Sequence, residues 1–194
     1  METAATSCSG SSPQPDIVVA DSMRGTCDLA AAEILRDLAD AQARNGSASL
    51  VLTGGRTGTA VLERMRVQGA NSSVRWSRVD FYWGDDRFVP AEHSDRNELQ
   101  ARRALLDHLP VDPSRIHPMP ASDGVRGADL DAATAIYRTL IEREGTRGFD
   151  VCMLGVGEDG HVASLFPGAP GAAEREDPVS LCTEARSRRP SASL

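Results

Sequence analysis

A histidine follows a glycine-rich turn in the segment LGVGEDGHVASLFPG, residues 154–168. A neutral imidazole takes a proton from water near pH 7, so His161 is a candidate general base. Asp159, two residues earlier, can hold the ring or the water. We expect a helix to begin at His161, because the positive end of a helix disfavours an imidazolium. A histidine that only caps this helix is the structural alternative.

The same turn, GVGEDG, also fits the G-x-G-x-x-G pattern of dinucleotide-binding proteins. In those proteins the motif lies in the first βαβ unit, with an acidic residue about 20 residues later. Here it follows the last clear strand, and residues 177–181 form no ribose-binding unit. A dinucleotide-dependent oxidoreductase is therefore only a distant alternative.

A second turn, TGGRTG at residues 53–58, lies between an apolar segment and a helical one. Gly54 and Gly55 allow backbone N–H groups to approach an anion closely, and the positive end of the following helix adds to the attraction. Arg56 and Thr57 supply a positive charge and a hydroxyl donor. The turn predicts a phosphate or carboxylate site, and a purely structural strand–helix turn is the alternative.

A third turn, GDDRFVP at residues 84–90, follows another apolar segment. Runs of charge are often solvated loops. Between a strand and a Val-Pro turn, however, Arg87 can point into a cleft as a fixed cation with a carboxylate partner. Asp85, Asp86 and His93 lack the spacing of metal ligands, so we predict no metal site.

Apolar periodicity alternates between strand and helix along the chain. It predicts strands at residues 17–20, 48–52, 79–83 and 149–154, and helices at 28–43, 60–65, 97–109 and 128–144. Asn45-Gly46 is predicted to stop the first of these helices. This alternation indicates an α/β fold with an open, mainly parallel sheet and helices on both faces. Ligands of such sheets bind beyond the carboxyl ends of the strands, where all three turns fall.

The composition narrows the classes of function. The 194 residues carry a net charge of −7, so we expect neither nucleic acid nor a membrane surface as a partner. All 21 basic residues are arginine, which excludes Schiff-base lysine chemistry and a Walker A lysine within the chain. Cys27 and Cys152 lie among apolar residues and are predicted to be buried thiols. Residues 1–15 resemble neither a signal peptide nor an anchor; we expect a disordered arm and a cytoplasmic protein.

The segment FDVCMLGVGEDGHVASLFPG closely resembles the signature of the 6-phosphogluconolactonase family. FYWGDDRFVP and the following SDRNELQARRALLDHL are similar to that family's Trp-x-Asp-Glu-Arg-x-Val-Pro segment and helix, and TGGRTG is more loosely similar to its phosphate turn. The resemblance covers residues 17–170. The related amino-sugar phosphate deaminases share the fold but carry Gly-His-x-Ala-Phe-Asn-Glu, which this chain lacks.

The resemblance implies hydrolysis of 6-phospho-D-glucono-1,5-lactone to 6-phosphogluconate, without a metal or a cofactor. We expect the protein to be a monomer. The resemblance also implies that His161 is the general base, that Asp159 supports it, and that Arg87 offers positive charge to the substrate. The substrate-binding residues that it implies are Gly54, Gly55, Arg56, Thr57, Asp86 and Gly160. The phosphate turn departs from the family's Gly-Gly-Ser-Thr-Pro, because Arg56 and Gly58 replace the serine and the proline.

The resemblance predicts a lactonase-like domain at residues 16–170. Members of the family continue with further strands and helices, including a Ser-Pro-Lys-Pro-Pro...Arg segment beside the site. Residues 171–194 are polar and show no strand or helix period, so we expect an irregular tail and a C-terminally truncated fold. A catalytically weak or inactive sugar-phosphate-binding fragment of the same fold is the alternative to an active enzyme.

Overall fold

The computed structural model describes residues 15–144, 147–173, 178–182 and 191–193. Four α-helices are described: α1 (Met23–Asn45), α2 (Gly55–Gly69), α3 (Asn97–Ala104) and α4 (Leu130–Glu144). Six strands are described: β1 (Ala48–Leu52), β2 (Val79–Trp83), β3 (Asp85–Arg87), β4 (Val151–Cys152), β5 (Ser180–Cys182) and β6 (Ser191–Ser193). The predicted N-terminal arm lies, apart from Pro15, outside these residues.

Three strands form a parallel sheet in the order β2-β1-β4. β1 and β2 pair along their whole length, from Ala48 opposite Val79 to Leu52 opposite Trp83. The predicted parallel sheet is therefore confirmed. A second sheet, β3-β6-β5, is antiparallel and was not predicted.

Helices cover both faces of the parallel sheet. Alternate strand residues point to opposite sides and so pack against different helices. Leu50 and Phe81 belong to one buried cluster with residues of α1, α2 and α3. Val51 and Tyr82, one position along, belong to a second cluster that contains Tyr137 of α4. This arrangement explains why β1 and β2 are apolar on both sides, as expected for a parallel sheet.

The boundaries of α1 have local causes. The Ser22 hydroxyl accepts a hydrogen bond from the Gly25 N–H at 3.1 Å, so the helix begins at Met23, earlier than the predicted residue 28. At the other end Gly46 adopts φ 80°, and its N–H donates to the Gln42 carbonyl at 2.8 Å. The predicted stop at Asn45-Gly46 is confirmed.

Of the four predicted strands, one is missing from the structure and one is shorter than predicted. Residues 17–20 pair with no strand among the described residues, and Ile17 is 85% exposed, so a short apolar run without a partner forms no strand. The strand predicted at 149–154 is reduced to β4, which lies at an edge of the described sheet. Cys152 is exposed there, contrary to prediction, and Leu154 is 60% exposed, whereas Cys27 is buried as expected.

Two further segments differ from their predicted secondary structure: one helix is shorter, and the C-terminal tail contains strands. The helix expected at 97–109 ends at Ala104 and continues as a 3-10 turn, Leu106–His108. The tail predicted to be irregular contains β5 and β6, and β6 pairs with β3 from Asp85 opposite Ser193 to Arg87 opposite Ser191. Backbone pairing with a distant strand specifies these short strands, which local periodicity does not reveal.

No helix in the described part of the chain is long and apolar enough to cross a membrane.

Tyr137 connects α4 to the outer edge of β2. Its hydroxyl accepts a hydrogen bond from the Trp83 N–H at 3.0 Å and donates one to the Trp83 carbonyl at 3.2 Å. The side chain is almost fully buried, and burial raises the pKa of its phenol. The hydroxyl therefore satisfies both backbone groups of the residue that precedes the GDDR turn.

We expect Tyr137→Phe to lower the free energy of unfolding by about 1–3 kcal/mol, because it leaves two buried backbone groups without partners. Urea denaturation followed by circular dichroism measures the change. Tyr82→Phe is the matched control, since Tyr82 is also buried but its hydroxyl has no hydrogen-bond partner among the described residues. Equal effects of the two changes would contradict this role of Tyr137.

Candidate active site

The three polar turns meet beyond the carboxyl ends of β1, β2 and β4, as predicted. The Gly84 N–H donates to the Leu52 carbonyl at 2.9 Å, which joins the second and first turns. A Cβ atom built on Gly155 would lie 3.7 Å from Thr53 Oγ1, so the third turn also contacts the first. The residues predicted to do chemistry therefore lie around one edge of the sheet.

The first turn leads directly into α2, whose N-terminus has no side-chain cap. Gly54 is the N-cap residue and Gly55 adopts φ 79°, a conformation that favours glycine. Gly55, Arg56 and Thr57 are exposed at the first turn of the helix. Their backbone N–H groups lack intrahelical acceptors, so this end of α2 attracts an anion.

Asn97, which sequence reasoning missed, locks the first turn against the second. A Cβ atom on Gly54 would lie 1.9 Å from Asn97 Oδ1, so only glycine fits at position 54. The Asn97 side-chain amide donates to the Asp85 carbonyl at 2.8 Å. No local signal distinguishes Asn97 from any other residue at the start of a predicted helix.

Asp86 is buried beneath the site. One of its carboxylate oxygens, Oδ1, accepts hydrogen bonds from the N–H groups of Arg87 and Asn97, both at 2.7 Å. The other oxygen lies 3.2 Å from Nη2 of Arg96, whose side chain is also buried. Burial raises the pKa of Asp86 to about 6, against the opposing effect of Arg96, so Asp86 is a carboxylate at pH 7.

This geometry differs from the substrate contact predicted for Asp86. The residue is only 2% exposed, and its oxygens face the N-terminus of α3 and Arg96. The run Asp85-Asp86-Arg87 predicted one solvated or ligand-facing loop. Instead, the pleat of β3 turns successive side chains in different directions. Asp86 supports the site by binding the N-terminus of α3 and Arg96. Arg87, the next residue, stays partly exposed.

Arg87 contacts the third turn in a cluster that it forms with Asp85 and Ser164. Its Nη1 atom lies 3.4 Å from Asp85 Oδ2 and donates to Ser164 Oγ at 3.1 Å. The Ser164 hydroxyl in turn donates to Asp85 Oδ2 at 2.7 Å. The Arg87 side chain is still 28% exposed, so the guanidinium is tethered by these contacts and remains partly accessible to solvent. The predicted carboxylate partner of Arg87 is thus Asp85.

No helix begins at His161, contrary to prediction. The Gly157 N–H donates to the His161 carbonyl at 2.8 Å, and Val162 forms antiparallel bridges with Val156 and Leu165. These bridges bend the chain where its apolar residues predicted a helix. The helix-end argument for a neutral imidazole therefore does not apply.

Two glycines shape this turn around the His161 ring. A Cβ atom on Gly157 would lie 2.1 Å from the ring, and Gly160 adopts φ 82°, so both positions favour glycine. The ring also stacks on Phe166, with 4.7 Å between centroids. The described geometry gives Gly160 a conformational role, and a contact between Gly160 and a ligand stays a prediction.

The imidazole of His161 is oriented by Asp159. Nδ1 of the ring lies 2.5 Å from Asp159 Oδ1, and this hydrogen bond lowers the pKa of the Asp159 carboxyl. A carboxylate on Nδ1 places the ring proton there, so Nε2 carries the lone pair. About a third of the His161 side chain is exposed. The ring is therefore held by a carboxylate, as a general base requires, and its side chain is partly accessible to solvent.

The site combines an oriented imidazole, a tethered guanidinium and an uncapped helix N-terminus. Such a set can activate water, stabilise a developing oxyanion and bind an anionic group. Within the described ranges, no group of histidine, cysteine, aspartate and glutamate side chains could hold a metal ion.

Comparison with known proteins identifies a family and several relatives. The family described as glucosamine-6-phosphate isomerases/6-phosphogluconolactonase matches residues 22–193, so the match begins later than the resemblance at 17–170 and ends beyond it. A 6-phosphogluconolactonase of Streptomyces coelicolor is 45% identical over 175 residues, which are 87% of this chain and 67% of that protein. One from Mycobacterium tuberculosis is 40% identical over 167 residues, 84% and 64% of the two chains. The chain thus spans about two thirds of the length of these curated relatives.

Solved structures share the fold. A 6-phosphogluconolactonase from Thermotoga maritima superposes with a TM-score of 0.75 at 25% identity, over 88% of this chain and 73% of its own. One from Trypanosoma brucei superposes with a TM-score of 0.82 at 24% identity, over 94% and 77%. A monomeric glucosamine-6-phosphate deaminase gives 0.72 at 16% identity, over 90% and 73%, which shows the fold alone. The predicted α/β fold class is confirmed.

We expect Asp86→Ala to destabilise the protein by about 3–5 kcal/mol, because it leaves the buried Arg96 without its carboxylate. Denaturant unfolding measures the change. Asp123→Ala is the control: Asp123 is exposed and accepts a hydrogen bond from the Ala91 N–H at 2.9 Å, so its loss costs about 0.5–1.5 kcal/mol. If the two variants are equally stable and only ligand binding is lost in Asp86→Ala, Asp86 is a ligand contact.

Proposed function

Because the chain belongs to the glucosamine-6-phosphate isomerase/6-phosphogluconolactonase family, we propose that it hydrolyses 6-phospho-D-glucono-1,5-lactone to 6-phospho-D-gluconate in the oxidative pentose phosphate pathway. The observation that carries the proposal is the His161 imidazole with Nδ1 held by Asp159 at 2.5 Å. This pair lies within the motif that resembles the lactonases, and the relatives at 45% and 40% identity bear that name.

In this proposal His161 acts on water. Nε2 takes a proton from the water molecule as the water oxygen bonds to the lactone carbonyl carbon, and the carbonyl oxygen receives the electron pair. Asp159 stabilises the imidazolium that forms. The tetrahedral intermediate then collapses. The bond between the carbonyl carbon and the ring oxygen breaks, and the ring oxygen takes the proton back from His161.

Arg87 is proposed to stabilise the negative charge of the substrate and of the intermediate. Its guanidinium is fixed by Asp85 and Ser164 and is partly exposed, so it needs little reorganisation to meet an oxyanion. An ester carbonyl is electrophilic without a Lewis acid, and the proposed reaction uses no metal or cofactor.

The substrate phosphate is proposed to bind at the N-terminus of α2. Gly54 and Gly55 allow the close approach, and Arg56 and Thr57 lie exposed at the first turn. Arg56 then replaces, with a charge, the hydroxyl that the family's usual turn offers. Gly160 is proposed to face the substrate from the third turn.

The monomeric state and the cytoplasmic location predicted from the sequence belong to this proposal as well. Sedimentation equilibrium of the purified chain measures the first, and fractionation of the source cells measures the second.

We expect the 194-residue chain to hydrolyse the lactone faster than the spontaneous reaction, and His161→Ala to lower kcat by roughly 10²–10⁴-fold. Binding of 6-phosphogluconate should be largely kept, because the base acts on water. His108→Ala is the control, since His108 lies exposed after α3 and contacts the Arg103 carbonyl. A folded wild-type chain that binds 6-phosphogluconate but has no turnover would support the alternative of a sugar-phosphate-binding fragment.

We expect Arg87→Ala to weaken binding of 6-phosphogluconate by about 2–4 kcal/mol, through loss of a charge-assisted contact in a partly dry cleft. Titration calorimetry measures the affinity. Arg44→Ala is the control, because Arg44 lies exposed in the last turn of α1, before the amino end of β1. A change of only a few tenths of a kcal/mol in Arg87→Ala would mean that Arg87 makes no charge-assisted contact with the ligand.

A further inference from the structure

Ser164 and Asp85 lie between the two turns that carry Arg87 and His161. We propose that they are positioning residues, which fix the Arg87 guanidinium relative to the His161 imidazole. The inference rests on the proposed function, since it assigns these two residues a part in that reaction. Neither residue is proposed to touch the substrate.

Asp85 is the buried centre of the cluster. Its side chain is 6% exposed, and one oxygen, Oδ2, accepts the Ser164 hydroxyl at 2.7 Å and faces Arg87 Nη1 at 3.4 Å. The other oxygen accepts the Asn97 amide at 3.2 Å. Since Asn97 also packs against Gly54, Asp85 is held in place from the phosphate-turn side.

Ser164 fixes the third turn from the opposite side. It is 1% exposed and lies three residues after His161. Between them Ala163 adopts φ 52°, the only described non-glycine residue with a positive φ. An alanine in this region costs about 1–2 kcal/mol and persists only where the surroundings hold it. The surroundings here are the Val162–Leu165 backbone bonds, at 3.2 and 2.9 Å, and the Ser164–Asp85 hydrogen bond.

The hydroxyl of Ser164 therefore couples the base and the cation. It accepts from Arg87 and donates to Asp85, so a shift of the guanidinium disturbs Ser164, which lies three residues after His161. A misplacement of about 1 Å in such a site can cost up to 10²-fold in rate. Removal of the hydroxyl leaves Arg87 only the 3.4 Å contact to Asp85 within this cluster.

A double-mutant cycle tests the inference. Ser164→Ala is expected to lower kcat/KM by roughly 10–100-fold in the wild-type background and by less than about twofold in the Arg87→Ala background. Equal losses of kcat/KM in the two backgrounds would overturn the proposal, because Ser164 would then act independently of Arg87.

Ser49→Ala is the matched control. The Ser49 hydroxyl donates to Asp150 Oδ2 at 2.9 Å, a serine–aspartate bond between distant segments at the opposite end of the sheet. Its variant should keep kcat/KM within about twofold and show the same effect with or without Arg87. If Ser164→Ala does not fold, Asp85→Asn takes its place in the same cycle, with the same two outcomes.

A readout without turnover separates this inference from the proposed function. The chain has four histidines, so the ring protons of His161 can be assigned by comparison of NMR spectra with His161→Ala. Ser164→Ala should shift them by altering the stacking on Phe166, and Ser49→Ala should not. If the wild-type chain lacks lactonase activity but these shifts occur, the proposed function fails and the coupling stands. Unchanged shifts in a folded Ser164→Ala variant would overturn the coupling.

Discussion

The geometry of the site depends on the hydrogen bonds that the buried carboxylate of Asp86 accepts from the N-terminus of α3. This carboxylate binds the first N–H groups of α3 and thereby fixes the position of Asn97. Asn97 in turn holds Asp85 and packs against Gly54 at the entrance to α2. Arg96 compensates the charge of the carboxylate at 3.2 Å, which allows an ionised group to remain buried.

From this centre the three turns are held by side-chain hydrogen bonds and by the backbone bond from Gly84 to Leu52, rather than by long strands. β3 has three residues and β4 has two, so regular backbone pairing alone does little to orient them. The bond from Ser164 to Asp85 connects segments that are 79 residues apart in sequence. Asp85 shares hydrogen bonds with Asn97 and with Ser164, and so each of these residues constrains the others.

The sequence predicted the parts of the fold that local chemistry determines. The strands at 48–52 and 79–83 and the stop of α1 at Gly46 follow from apolar runs and glycine, and all three are confirmed. The turn after Gly160 was mistaken for a helix start, because the apolar residues Val162, Ala163 and Leu165 fit either structure. Bridges formed by Val162, and a positive φ at Ala163, decide between them.

The candidate site was predicted as a set of residues but not as a network. His161, Asp159 and Arg87 were found because their side chains have obvious chemistry, and the structure brings Asp159 against His161. Asn97 and Ser164 act through contacts with distant residues, which a single sequence does not reveal. Burial changed the interpretation of Asp86, since a carboxylate looks the same in a sequence whether it faces solvent or a helix N-terminus.

The hydroxyl of Tyr137 has a consequence for self-association. In the part of the chain that the structure describes, β2 is an outer strand of the parallel sheet, and an outer strand with open N–H and C=O groups can recruit a strand from another molecule. Here the Trp83 groups are occupied by Tyr137, and the Phe81 carbonyl is occupied by the His117 N–H at 2.9 Å. Among the described residues, a side chain from α4 and the backbone at His117 thus occupy these groups of β2, which makes them unavailable to a strand from another molecule.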